Sequence, residues 1–314
     1  MRPARAHRLR SLLLATALVV AGCARQAGSP AASPATGTSF PVTITDDDGV
    51  SVTLDAPPRR IVTFAPSATE IVFALGLGNR LVGVSGKYDN FPPAAKRIPE
   101  IGGAGDFGVD PNIEKVVSLQ PDLFLTISGG EQWKSRLRSL GVPVFTINST
   151  DLGDVYHDIE TVGRLTGADA AAAGLVAGMQ AEARTIQQRV AGYPAVPCFF
   201  EVYYPPLTTV GPGTFIGDLL RRAGCRSVSA DAKSDYPQWS VESLVKENPR
   251  VYLVSSESGA SPQAVAARPG FDAISAVAAA RVIPIDADLV SRPGPRVVDG
   301  LRALAEALHP QAFG

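Results

Sequence analysis

The chain has 314 residues, 45% of them apolar and 19% charged, with a formal net charge of -1. That length and apolar content suffice for two globular domains, and the balanced charge supplies no field that would collect nucleic acid. Only His7, His157 and His309 occur, and the first lies in a segment expected to be removed, so a histidine-rich transition-metal site lacks its ligands.

Residues 1–10 carry four arginines and no acid, and an apolar run of eleven, SLLLATALVVA, follows. The run is too short to span a bilayer as an ordinary helix and reads as a signal peptide over 1–22. It ends in Val20-Ala21-Gly22-Cys23, which resembles a lipobox and implies cleavage before Cys23 and acylation of its thiol. Residues 23–39 then form a tether rich in Ala, Ser, Pro and Gly, with no apolar bulk to repay ordering. These features predict a protein outside the cytoplasm, held to a membrane by lipid.

Residues 40–54 alternate apolar and polar side chains about Asp48-Gly49, the pattern of a β-hairpin. Pro57-Pro58 interrupts it, and RIVTFAP predicts a buried strand. A helix follows, capped by Ser67 or Thr69, with Glu70 in its first turn and Gly76 or Gly78 at its end. Next come LVGVS as a strand, the proline-rich YDNFPPAAKRIP, the glycine-rich IGGAGDFG, a helix over 112–119, the strand DLFLTIS, a helix from Trp133 to Leu140 and the strand VPVFTIN. Strands alternating with short helices predict parallel βα units over 40–150.

An internal repeat organises the rest. NIEKVVSLQPDLFL at 112–125 superimposes on SVESLVKENPRVYL at 240–253, aligning Asn112 with Ser240, Glu114 with Glu242, Val117 with Val245 and Pro121 with Pro249. EIVFALG at 70–76 and DLLRRAG at 218–224 echo it, so a second α/β lobe is expected over 193–314. Between the lobes, 151–192 ends in some 20 residues dominated by helix formers without proline, a helix of roughly 30 Å that joins the lobes and limits their relative motion. Cys198 and Cys225 either form a disulfide or are small buried residues at strand edges, since sequence does not place their Cα atoms.

Chemical motifs for catalysis are missing. Gly103-x-Gly105-x-x-Gly108 matches a dinucleotide fingerprint only formally, because Asp110-Pro111 separates it from the next helix. No G-x-S-x-G, H-E-x-x-H or P-loop occurs, so an enzyme is not expected, nor a resident cofactor or metal.

The stretches VTFAPSATEIVFALGLGNRLVGVS, YDNFPPAAKRIP, NIEKVVSLQPDLFL, YYPPLTTVGPGTFIGDLL, SDYPQWSVESLVKENPRVYLV and SRPGPRVVDGLRALAEAL resemble ABC-importer solute-binding proteins of the helical-backbone class, which carry cobalamin, ferric siderophores and haem. Within that class the likeness is greatest to cobalamin-binding proteins. The resemblance implies two Rossmann-like lobes joined by a single long helix, with a corrinoid in the cleft between them. It further implies that Glu114 and Glu242 dock on a membrane permease, and that the receptor acts as a monomer.

Candidate ligand contacts are the loop residues Pro66, Tyr88, Phe107, Tyr203, Tyr204, Tyr236, Trp239 and Arg292, since loop aromatics can pack on a flat macrocycle. Trp239 opens the apolar periodicity of the next helix and reads more as packing. Phe107 and Tyr236 precede the repeated helices and are expected to oppose each other. An anionic ferric siderophore is the alternative ligand, for which Arg292 is the one obvious cleft arginine. Haem is another, with Tyr88, Tyr203 or Tyr204 as axial ligand.

Overall fold

The computed structural model describes residues 37–102 and 110–314. Cys23 with its lipobox, Phe107 and the glycines of the G-x-G-x-x-G match lie outside the described residues.

The chain enters through an antiparallel hairpin of β1 (Val42–Thr45) and β2 (Ser51–Leu54). Gly49 takes φ +79 in its turn, and the buried Asp46 carboxylate accepts from the backbone N–H of Asp48 and Val50 at 3.1 and 2.7 Å. The fully buried Lys134 holds the turn against the first lobe, its Nζ lying 2.6 Å from Asp48 Oδ2.

The first lobe is built on β3 (Ile61–Phe64), α1 (Pro66–Ala74), β4 (Leu81–Gly83), α2 (Ile113–Ser118), β5 (Leu123–Ile127), α3 (Glu131–Ser139) and β6 (Val144–Ile147). Its strands form a parallel sheet in the order β4-β3-β5-β6. Apolar clusters lie on both sides of the sheet, which explains why β5 and β6 are nearly continuous apolar runs. Helix α1 begins earlier than the Ser67 or Thr69 cap predicts. Pro66 occupies its first turn, where a missing N–H costs nothing, and Ala65 is the cap residue. Glu70 therefore falls in the second turn and is buried.

Two helices follow, α4 (Leu152–Thr166) and α5 (Asp169–Val190), separated by Gly167 in the left-handed conformation at φ +71. The 22 residues of α5 span about 33 Å and join the lobes. Ala172, Val176, Met179, Ala183, Ile186 and Val190 recur at helical spacing on its buried face. They belong to one apolar cluster that continues from the first lobe through α4 and α5 into the second.

The second lobe comprises β7 (Val196–Glu201), α6 (Phe215–Arg222), β8 (Cys225–Ser227), α7 (Val241–Glu247), β9 (Val251–Ser255), α8 (Pro262–Ala266), α9 (Ser275–Ala278), β10 (Val282–Ile285), α10 (Ala287–Val290) and α11 (Val297–Leu308). Its parallel sheet runs β8-β7-β9-β10, the same order as in the first lobe once each strand is matched to its counterpart. The repeat extends to capping. Asn112 Oδ1 accepts from Lys115 N–H at 2.9 Å and Ser240 Oγ from Ser243 N–H at 3.0 Å, each one turn into its helix. Val116 and Leu244 are the buried members of these helices, while the aligned Val117 is exposed.

A disulfide joins Cys198 on β7 to Cys225 on β8 across neighbouring strands, with Cα atoms 5.8 Å apart. The fold is thus a pair of α/β lobes joined by one long helix, as the sequence predicts.

Candidate functional site

In parallel α/β sheets, ligands bind beyond the carboxyl ends of the strands, where the connecting loops are free to diverge. Here those loops bring the two lobes together. The β3–α1 corner supplies Pro66, Ser67 and Glu70; the loop after β4 supplies Tyr88, Asn90 and Phe91; the segment after β10 supplies Asp288, Arg292 and Arg296.

Glu70 is 3% exposed, and its carboxylate receives Arg296 in bidentate fashion, Nε on Oε2 at 2.8 Å and Nη2 on Oε1 at 2.6 Å. Arg292 lies alongside: Nη1 donates to Asn90 Oδ1 at 2.9 Å and approaches Glu70 Oε1 at 3.5 Å, while Nη2 sits 2.5 Å from Asp288 Oδ1. Asn90 closes the ring by donating from Nδ2 to Asp288 Oδ2 at 2.9 Å. The Arg296 guanidinium also covers the Phe91 ring at 4.1 Å. Gly294 lies against Ser67, since a Cβ there would stand 3.5 Å from its carbonyl oxygen. Glu257, in the turn after β9, feels the charges of this group: desolvation and the Asp288 charge push its carboxyl above the usual range, and Arg292 pulls the other way.

The loop carrying Tyr88 and Asn90 is set by a second buried acid. Asp89 accepts from the hydroxyls of Thr69 and Ser85 and from Gly86 N–H at 2.9 Å. Thr69 is thus a fastener for this loop and not a helix cap.

The predicted contacts divide into two groups. Tyr88, Tyr203 and Tyr236 are exposed by 38, 53 and 57%, and Phe91, which sequence reasoning passed over, by 41%. Pro66 is half-buried at the start of α1, and Arg292 is held by the ion pairs above. Tyr204 and Trp239 instead pack against the apolar cluster of the second lobe. The Arg268 guanidinium lies 3.8 Å over the Tyr204 ring, which meets Phe271 edge-on. Arg268 in turn grips the fully buried Glu201 at 2.5 and 3.0 Å, and Tyr252 donates its hydroxyl to the same carboxylate. Burial and the Glu201 charge push the Tyr252 hydroxyl well above the ordinary phenol range, so it stays a donor.

Glu114 and Glu242 lie elsewhere, exposed in the first turns of α2 and α7, where a carboxylate complements the helix N-terminus. Sequence reasoning missed Glu70, Asn90, Asp288 and Arg296. The signal available was the pair of arginines, Arg292 and Arg296, in one short proline- and glycine-containing loop between α10 and α11.

Two α/β lobes, a stiff helical connection and polar and aromatic loops meeting between them define a two-lobed binding protein. Residues 61–289 match the periplasmic binding protein family, and the chain belongs to it. It is 35% identical over 311 residues, 96% of each chain, to an uncharacterized ABC transporter substrate-binding lipoprotein, YvrC, of Bacillus subtilis. It is 32% identical over 279 residues to a cobalamin-binding protein of Halobacterium salinarum, covering 86% of this chain and 75% of that one. The periplasmic vitamin B12 binding protein BtuF of Vibrio cholerae superimposes with a TM-score of 0.70 at 26% identity, covering 82% of this chain and 98% of that one. The protein is accordingly a substrate-binding component of an ABC transporter, of the class that serves B12, siderophores and haem, and its family transports solutes and does not catalyse reactions.

Proposed function

We propose that this protein captures cobalamin or a related corrinoid outside the cytoplasm and delivers it to an ABC importer, while held to the membrane by lipid on Cys23. The observation that carries the ligand class is the set of exposed rings on strand-end loops of both lobes: Tyr88 and Phe91 on one, Tyr203 and Tyr236 on the other. Exposed aromatics cost solvation unless covered, and a broad macrocycle covers several at once. Pro66 and Arg292 complete the proposed contacts, with Phe107 from outside the described residues. Tyr204 and Trp239 shape the wall behind them. The relatives named for cobalamin support the same reading.

Parallel calorimetric titration of the mature chain with cyanocobalamin, dicyanocobinamide, haemin and a ferric siderophore tests it. Tightest binding of a corrinoid is expected; preference for haemin or the iron chelate overturns it. Tyr236→Ala is expected to weaken cyanocobalamin binding by about tenfold or more, because a ring on a macrocycle buries roughly 50–100 Å² of apolar surface at about 25 cal/mol per Å². An unchanged dissociation constant would remove Tyr236 from the site.

Glu114 and Glu242 are the proposed permease contacts. Their matched, solvent-facing positions in the repeated helices suit a partner with two positive patches. The double variant Glu114→Ala/Glu242→Ala should keep corrinoid affinity within about twofold while uptake by cells falls sharply. A large loss of affinity in the purified variant would place these acids in the cleft.

A further inference from the structure

We infer that Glu70 and Asp288 set the charge selectivity of the cleft, neutralising its arginines from the protein side so that the site takes a large ligand without net negative charge and turns away anionic iron chelates. The inference builds on the ligand reading above and narrows it to a property that separates the three ligand types of the class.

Arginine is the usual recognition group for carboxylate and catecholate oxygens because its fork donates two parallel hydrogen bonds. A cleft with two arginines therefore looks suited to an anion. Here both forks are occupied. Arg296 places Nε and Nη2 on Glu70, and Arg292 divides its donors among Asn90, Glu70 and Asp288. The compensating charges come from both lobes, Glu70 from the first and Asp288 from the second. Glu257 is a further acid within electrostatic reach of Asp288 and Arg292. Lys87 lies 4.9 Å from the Tyr88 ring centre, and Lys233, in the loop that carries Tyr236, has Asp231 and Asp235 close to it in sequence.

Burial gives the arrangement its force. Glu70 is almost without solvent contact, so an arriving anion cannot take Arg296 without stranding a carboxylate in a poorly screened site. It would also meet the field of that carboxylate, which acts at several ångströms where the effective dielectric is low. A ligand whose periphery is made of amides faces no such opposition, and it can still hydrogen-bond to the carboxylate oxygens and the amide of Asn90.

The test compares the mature wild-type chain with Glu70→Gln, Asp288→Asn and the double variant Glu70→Gln/Arg296→Gln, which removes the pair without changing net charge. Each is titrated with cyanocobalamin, a neutral ferric trihydroxamate and a trianionic ferric tris-catecholate, with thermal melts alongside. The wild type is expected to prefer the neutral iron probe. Each single variant should shift the ratio of the two iron-probe affinities toward the anion by about tenfold or more, and the double variant should not. Asp288 is 30% exposed at a helix start, so Asp288→Asn carries the test if Glu70→Gln fails to fold. A wild type that holds the tris-catecholate as tightly as the trihydroxamate overturns the inference. So does an unshifted ratio in a folded single variant, or failure of both iron probes to bind any variant. If the ratio shifts but cyanocobalamin does not bind the wild type, the corrinoid reading fails and the selector stands.

Discussion

Replacing Glu70 with Ala is expected to lower unfolding stability by about 3–5 kcal/mol, the range for removing one partner of a buried ion pair. The carboxylate accepts both nitrogens of the Arg296 fork and lies near Arg292, and its loss leaves these guanidiniums, 19 and 10% exposed, facing one another without it. The pair also crosses between lobes, since α1 belongs to the first and the 292–296 segment to the second. Chemical denaturation should therefore show a lower midpoint. Arg296→Met in the Glu70→Leu background should recover much of the loss, because an apolar pair of similar volume avoids the desolvation cost altogether. A single variant as stable as the parent would show that water already screens the pair.

The second large effect concerns pH. Asp158 on α4 is 3% exposed, and its carboxyl is pushed up to about 7. Burial is the main cause; the Ser149 hydroxyl donates to it at 2.5 Å and pulls the other way, while the charges of Asp47 and Asp154 push further up. The unfolded chain releases this proton near the ordinary value of 3.8, the folded chain near 7. Between those values the folded state holds the extra proton, so the contribution is complete below about pH 4 and is lost as pH rises through 7. Acting alone, the group would cost on the order of 4 kcal/mol by pH 8. Asp158→Asn keeps an acceptor for Ser149 and removes the charge. It should melt higher than the parent at pH 8 and show a flatter dependence between pH 4 and 8. Parallel curves for the two proteins would place the Asp158 carboxyl in its ordinary range.

What could be read from the sequence, and what could not, follows from the range of the interactions. The repeat was legible because its marks are local: a polar cap, an acid, an apolar residue and a proline at fixed spacing recur in both halves, and the structure gives both segments the same helix and strand. The long connecting helix was legible for the same reason, its composition marking a start just after Gly167, where the structure begins it at Asp169. The Glu70 cluster was not. Its partners are more than 200 residues apart, and the hydroxyls of Ser67 and Thr69 suggest a later start for α1 than the one set by the stronger signal, the proline at position 66. Tyr204 and Tyr203 are adjacent in sequence and have opposite fates, because only Tyr204 meets Arg268, a contact set by the fold of the second lobe. The cysteines stayed ambiguous since pairing depends on a Cα separation that no local pattern reports.

The bridge between Cys198 and Cys225 bears on how the chain survives its own synthesis. Strand β8 is three residues long, lies at the edge of its sheet and pairs with β7 alone. A strand so short holds few ladder bonds, and an edge with open N–H and C=O groups is a template for pairing with another copy. The exposed Arg226 at its centre discourages such pairing, and the covalent staple keeps the strand on its own sheet. A chain folded where thiols stay reduced keeps the arginine and loses the staple, so the 199–227 segment is the region from which strand exchange and aggregation should begin.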